Sequence, residues 1–131
     1  IGTLGNHEFD FGQKILRARI NDASFPIVCA NINSSQSELD SIPPYHVIEK
    51  DGISLGFIGL VQTGIDQIPS TNPEHLINLT FDDYLDKVKD YRSLKQQCDV
   101  LIGLTHLGIE ADSILATQMP ISLSGDIPTH Y

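Results

Sequence analysis

Short apolar blocks separated by turn-forming residues run the length of the chain. Residues 45–50 and 53–61 flank Asp51-Gly52. Asp-Gly between two strand-like runs predicts a β-hairpin, because both residues tolerate positive φ. Residues 1–4 read as the end of a strand running into a Gly-Asn turn, and residues 26–30 as a short buried strand. Residues 100–104 form a continuous apolar run, which predicts a central strand covered on both faces. Helical spacing predicts a helix over 13–21, with Ile15, Leu16 and Ile20 on its inner face. Thr80-Phe81-Asp82-Asp83 resembles a capping box and opens a long helix to about Gln97, with Phe81, Leu85, Val88 and Tyr91 as its buried stripe. A shorter helix is expected over 110–118 and a last strand over 121–124. Strands alternating with helices, plus one hairpin, predict an α/β domain with a mixed sheet. Residues 34–41 and 68–73 read as loops inside that domain rather than as linkers, since strand-like sequence resumes after each.

Composition fits this picture. The 131 residues suit one ordinary domain, and 40% apolar with 19% charged residues is globular rather than disordered. The net charge of −9 argues against nucleic acid as a partner. A small anionic substrate stays open, but only eight Lys and Arg are present to meet it. A divalent cation would supply the missing positive charge. No apolar run approaches the ~20 residues of a membrane span. The chain opens at Ile1 rather than Met, with no visible signal peptide. Cys29 and Cys98 sit beside apolar strand-like sequence and are read as two buried free thiols, one disulfide being the alternative.

In open α/β sheets, ligands gather beyond the carboxyl ends of the strands. Those ends carry Asn6 and His7, then Thr105 and His106, then Gly125 and Asp126 with His130 beyond. Imidazole, amide and carboxylate are the donors that hold Zn, Mn, Fe and similar ions. Each also has a plain structural reading. Asn6 serves as a turn residue, His7 as a loop histidine, His106 as a satisfied strand-end histidine and Asp10 as a helix N-cap. His46 and His75 are read as surface residues.

Gly5-Asn6-His7-Glu8-Phe9-Asp10-Phe11-Gly12 resembles the signature of calcineurin-like metallophosphoesterases, in the form found in 5′-nucleotidases and UDP-sugar hydrolases. Thr105-His106-Leu107-Gly108 is similar to that family's later single-histidine motif, and Ile58-Gly59-Leu60 fits the strand before its long helix. The resemblance runs from residue 1 to about residue 120. It implies a layered αββα domain with a mixed sheet, hydrolysing phosphate esters of nucleotides at a site of two divalent ions (Zn, Mn, Mg, Fe or Co). By the same resemblance Asn6 and His106 would bind one ion. His7 would meet the phosphoryl group, Asp10 would orient His7, and Glu8 would support the turn.

The family pattern also has Asp-x-His and Gly-Asp-x-x-Asp blocks before this signature, which the 131 residues do not contain. Its last block, Gly-His-x-His, corresponds here to Gly125-Asp126-Ile127-Pro128-Thr129-His130, with Asp126 where a histidine is expected. His130 is the candidate ligand there, with shifted spacing. Residues 1–131 are therefore expected to form a partial catalytic domain, incomplete at its N-terminal side and without the separate C-terminal substrate domain of 5′-nucleotidases. Alone, the chain is expected to be inactive or nearly so. The expected partner is a small nucleotide or other phosphate ester. The alternatives are a non-catalytic α/β module and a phosphodiesterase of the same superfamily. The resemblance implies an extracellular, periplasmic or cell-surface location, with cytoplasmic relatives as the exception. The sequons Asn33-Ser34-Ser35 and Asn78-Leu79-Thr80 add little to that.

Overall fold

The hairpin strands are the longest in the computed structural model, which describes residues 1–64 and 72–118. β4 (Tyr45–Lys50) pairs antiparallel with β5 (Ile53–Val61) across Asp51-Gly52, both at positive φ, as the turn chemistry requires. On its other side β5 pairs parallel with β7 (Val100–His106), in register from Leu55↔Val100 to Val61↔His106. The sheet order is β4-β5-β7, so among the described residues β5 is the central strand and β7 pairs on one side only. The apolar run at 100–104 is a strand as expected, and among the described residues it pairs with β5 alone. Its side chains are half-buried or exposed among the described residues.

Short pairings complete the domain. β1 (Gly2–Thr3) runs parallel to β2 (Ile27–Val28), and β3 (Ile32–Asn33) runs antiparallel to β6 (Thr80–Phe81). β1 and β2 lie against β5: the Thr3 hydroxyl donates to Val28 O at 2.8 Å, and Ala30 N–H donates to Gly59 O at 2.7 Å. One core gathers Leu4, Phe9, Leu16, Cys29, Ile32 and Val61. A second gathers Ile58, Leu60 and Leu107 under Tyr84, Val88 and Tyr91. The mixture of strand directions with flanking helices is the α/β arrangement expected.

Two helices differ from expectation for physical reasons. α1 (Gln13–Asp22) presents Gln13, Leu16 and Ile20 inward, while Ile15 is 49% exposed. A buried hydrogen-bonding side chain at Gln13 sets the rotation of the helix. Thr80 and Phe81 are not helical. They pair with Asn33 and Ile32, and the Phe81 ring packs edge-on to Phe9 at 5.6 Å. Strand pairing and aromatic packing outweigh the local capping signal there. The cap is Asp83, whose carboxylate accepts from Leu85 N–H and Asp86 N–H. α2 (Tyr84–Asp90) then ends at Tyr91, and a 3-10 turn, Arg92–Gln96, follows. The break lets Tyr91 meet Tyr45 at 5.9 Å and sinks Leu94 into the interior. α3 (Ile109–Gln118) occurs as expected. The strand expected at 121–124 lies outside the described residues. No described helix is long and apolar enough to cross a membrane.

Both cysteines are free; Cys29 is buried and Cys98 half-buried. Burial pushes the Cys29 thiol up to about 12, against weaker opposing hydrogen bonds from Asn31, Ile32 and Val61. A thiol held neutral in the fold contributes stability that is complete below its unfolded value and lost as pH rises toward the folded one. At pH 8 a disulfide-exchange reagent should therefore reach Cys29 only after denaturant is added. Rapid labelling of two thiols in the native protein would contradict this.

Candidate active site

Residues 100 apart in sequence meet where β1 and β7 end. After β1 the chain turns at Gly5 into a 3-10 turn, Asn6–Phe9. The Glu8 carboxylate accepts Gly5 N–H at 2.6 Å, which is one half of a capping box and closes the turn on itself. Gly5 has no room for a side chain, since a Cβ there would stand 2.8 Å from Glu8 Oε2 and 3.0 Å from the His106 ring. That close approach lets the imidazole lie against the turn. His106 Nε2–H donates to Asn6 Oδ1 at 3.0 Å.

The strand end that carries His106 is held by a residue the sequence did not flag. Asn31 is completely buried; its amide donates to Val61 O and Asp82 O and accepts from Val61 N–H. Val61 is the register partner of His106. The only sequence signal for Asn31 is an amide inside the apolar stretch Ile27-Val28-Cys29-Ala30-Asn31-Ile32. A buried polar group of that kind must find partners.

His7 and Asp10 form a second pair on the same turn. His7 Nδ1 lies 2.9 Å from Asp10 Oδ2, with side chains 72% and 43% exposed. Asp10 also caps the 3-10 turn through its backbone N–H on His7 O. Of the predicted site residues, the structure thus joins Asn6 to His106, His7 to Asp10, and Glu8 to Gly5. His130, Gly125 and Asp126 lie outside the described residues. Among the described residues no three His, Cys, Asp or Glu side chains cluster as a metal cage. His46 is exposed as expected. His75 is half-buried, with its Nδ1 shielded and unpartnered, so the surface reading fails there.

No family model matches the chain. A 5′-nucleotidase of Vibrio cholerae is 34% identical over 109 residues, covering 81% of this chain and 19% of that protein. The crystal structure of the calcineurin-like phosphoesterase YfkN from Bacillus subtilis superposes with a TM-score of 0.75 at 31% identity, covering 91% of this chain and 41% of that one. The chain belongs to the 5′-nucleotidase-type calcineurin-like phosphoesterases. A 2′,3′-cyclic-nucleotide 2′-phosphodiesterase/3′-nucleotidase of Salmonella typhimurium is also similar, 30% identical over 123 residues, covering 86% of this chain and 19% of that protein. The chain thus spans about a fifth of the length of these curated relatives.

Proposed function

We infer that the chain carries part of a nucleotide phosphohydrolase site, in which Asn6 and His106 share one divalent ion and His7 meets the phosphoryl group. The observation that carries this is the 3.0 Å approach of Asn6 Oδ1 and His106 Nε2. Two adjacent ligands of one octahedral ion at ~2.1 Å stand ~3.0 Å apart. The amide oxygen and the imidazole nitrogen are therefore already spaced as a chelating pair. An N/O donor set accepts Zn, Mn, Fe, Co or Mg, with availability deciding among them. Two donors are too few for a stable ion, so the remaining ligands come from elsewhere in the protein or from water; His130 is one candidate.

In this reading a pair of divalent ions would supply the chemistry of polarising the phosphate and activating a water. The chain's own part is positional and electrostatic. Glu8 closes the turn that presents Asn6, and Asn31 fixes the strand end that presents His106. Asp10 engages His7 Nδ1, which leaves Nε2 as the ring nitrogen able to reach a substrate. As the imidazolium, His7 would donate Nε2–H to a phosphoryl oxygen or to the leaving oxygen. The acidic surface disfavours nucleic acid, so the substrate is a small nucleotide or related ester. Similarity to the Salmonella protein supports a second reading, cleavage of cyclic nucleotides at the same site. On the family resemblance we place the protein outside the cytosol.

Phosphate release from AMP, a UDP-sugar and 2′,3′-cyclic AMP, measured on the full-length protein with added Mn²⁺ or Zn²⁺, tests this. EDTA should abolish turnover and a divalent ion restore it. Asn6→Ala and His106→Ala should each lower bound metal. Turnover that survives EDTA and both substitutions would refute the assignment. The substrate panel separates the nucleotidase reading from the phosphodiesterase one.

A further inference from the structure

His7 and Asp10 stand largely in solvent, so their placement must come from the backbone that carries them. That backbone is anchored at intervals. Leu4 and Gly5 are buried before the turn, and Phe9 is buried within it against Phe81. Gln13, just beyond, is 5% exposed and is polar where the helix stripe calls for an apolar residue. Its amide nitrogen donates to His75 O at 3.0 Å and to Ile77 O at 2.8 Å. Its Oε1 accepts Glu38 N–H at 3.0 Å. One side chain therefore ties the exit of the turn to two distant segments. The second of these touches the turn again. The His75 ring lies over Gly12, where a Cβ would come within 3.3 Å of it, and Gly12 has φ +82.

A leucine at this place in the stripe would leave Glu38 N–H, His75 O and Ile77 O without these partners. The amide differs from a leucine in direction. An apolar contact such as that of Phe9 tolerates sliding, whereas a planar amide engaged at both its N–H groups and its oxygen fixes translation and rotation together.

We propose that Gln13 is a positioning residue for the His7–Asp10 pair, locking their turn to the backbone of Glu38, His75 and Ile77. This rests on the phosphohydrolase reading given above. Gln13→Met keeps the side-chain volume and removes all three hydrogen bonds; Gln13→Glu keeps the acceptor for Glu38 N–H. Both are assayed in the full-length protein, at a temperature where circular dichroism shows them as folded as the parent. kcat for Gln13→Met is expected to fall about 10–100-fold, the scale of a ~1 Å misplacement, with KM within about twofold. A crystal structure of the variant should show the His7 Nδ1–Asp10 Oδ2 separation lengthened from 2.9 Å to beyond hydrogen-bonding distance. Lys89→Gln, which breaks a surface pair with Asp86, serves as the control with unchanged kcat. A lowered melting temperature with kcat and that separation both unchanged overturns the proposal. If Gln13→Met does not fold, Gln13→Glu is judged by the same two measurements. If the parent protein releases no phosphate, the phosphohydrolase reading falls, and the His7–Asp10 separation alone decides whether Gln13 positions the pair.

Discussion

Gly59→Ala should lower the melting temperature of the domain by roughly 10–25 °C. Gly59 lies in β5, with its carbonyl accepting Ala30 N–H and its own N–H on Pro44 O. A Cβ at this position would stand 2.0 Å from Val28 O and 2.6 Å from Thr3 Oγ1. Neither atom can move aside cheaply. Val28 O is backbone, held in β2 and already accepting the Thr3 hydroxyl. Relief requires β1 and β2 to lift off β5, which opens the packing of Leu4, Cys29 and Val61. Overpacking of this kind reaches about 4 kcal/mol or more when backbone must shift, out of a total stability of roughly 5–15 kcal/mol. Gly103→Ala is the control, since its Cβ would meet only a Thr105 methyl at 3.7 Å. Thermal melts by circular dichroism compare the two. A Gly59→Ala protein that melts within a few degrees of the parent would show that β2 is far more yielding than its hydrogen bonding indicates.

Gly59 also illustrates what can be read before folding. A glycine inside an apolar strand signals close approach of another backbone, and Ile58-Gly59-Leu60 carries that signal openly. The hairpin was legible for a similar reason. Two strand-like runs and an Asp-Gly turn are local, and β4 and β5 fall at the expected residues. The first residues of the helix expected from residue 80 go instead to partners distant in sequence. Thr80 and Phe81 find β3, nearly fifty residues earlier, and Asp82 N–H finds Asn31 O. No window of sequence contains that competition.

The site divides in the same way. Asn6, His7, Glu8 and Asp10 form one local motif, and two of their contacts, Glu8 to Gly5 and Asp10 to His7, span three residues. Their meeting with His106 was anticipated through family resemblance and strand-end topology, not through spacing. Gln13 and Asn31 were missed because their partners are backbone groups 62, 64, 25, 30 and 51 residues away. Ile15 reads as inward for the complementary reason: helical spacing registers its hydrophobicity, while the three hydrogen bonds that hold Gln13 inward come from distant backbone.

The pair on the turn gives the largest expected effect on turnover. His7 and Asp10 make one hydrogen bond at the surface. Exposed pairs of this kind contribute about 0–1 kcal/mol to stability, so Asp10→Asn should melt within a few degrees of the parent protein. Catalysis depends on something else. The carboxylate fixes which ring nitrogen is engaged and where the other one points. Asparagine keeps a hydrogen-bonding group but loses the charge, and its amide can present N–H instead of oxygen to Nδ1. A positioned acid–base group is worth about 10²–10⁴-fold. His7→Ala should therefore lower kcat by about 10³-fold in the full-length protein, and Asp10→Asn by about 10–10²-fold, with bound metal unchanged in both. His106→Ala should differ in kind, losing metal together with activity. Steady-state kinetics paired with metal analysis separate these roles. Loss of metal from His7→Ala would make His7 a ligand and end the division of labour drawn here. Full activity in Asp10→Asn would reduce the 2.9 Å contact to a cap on the turn.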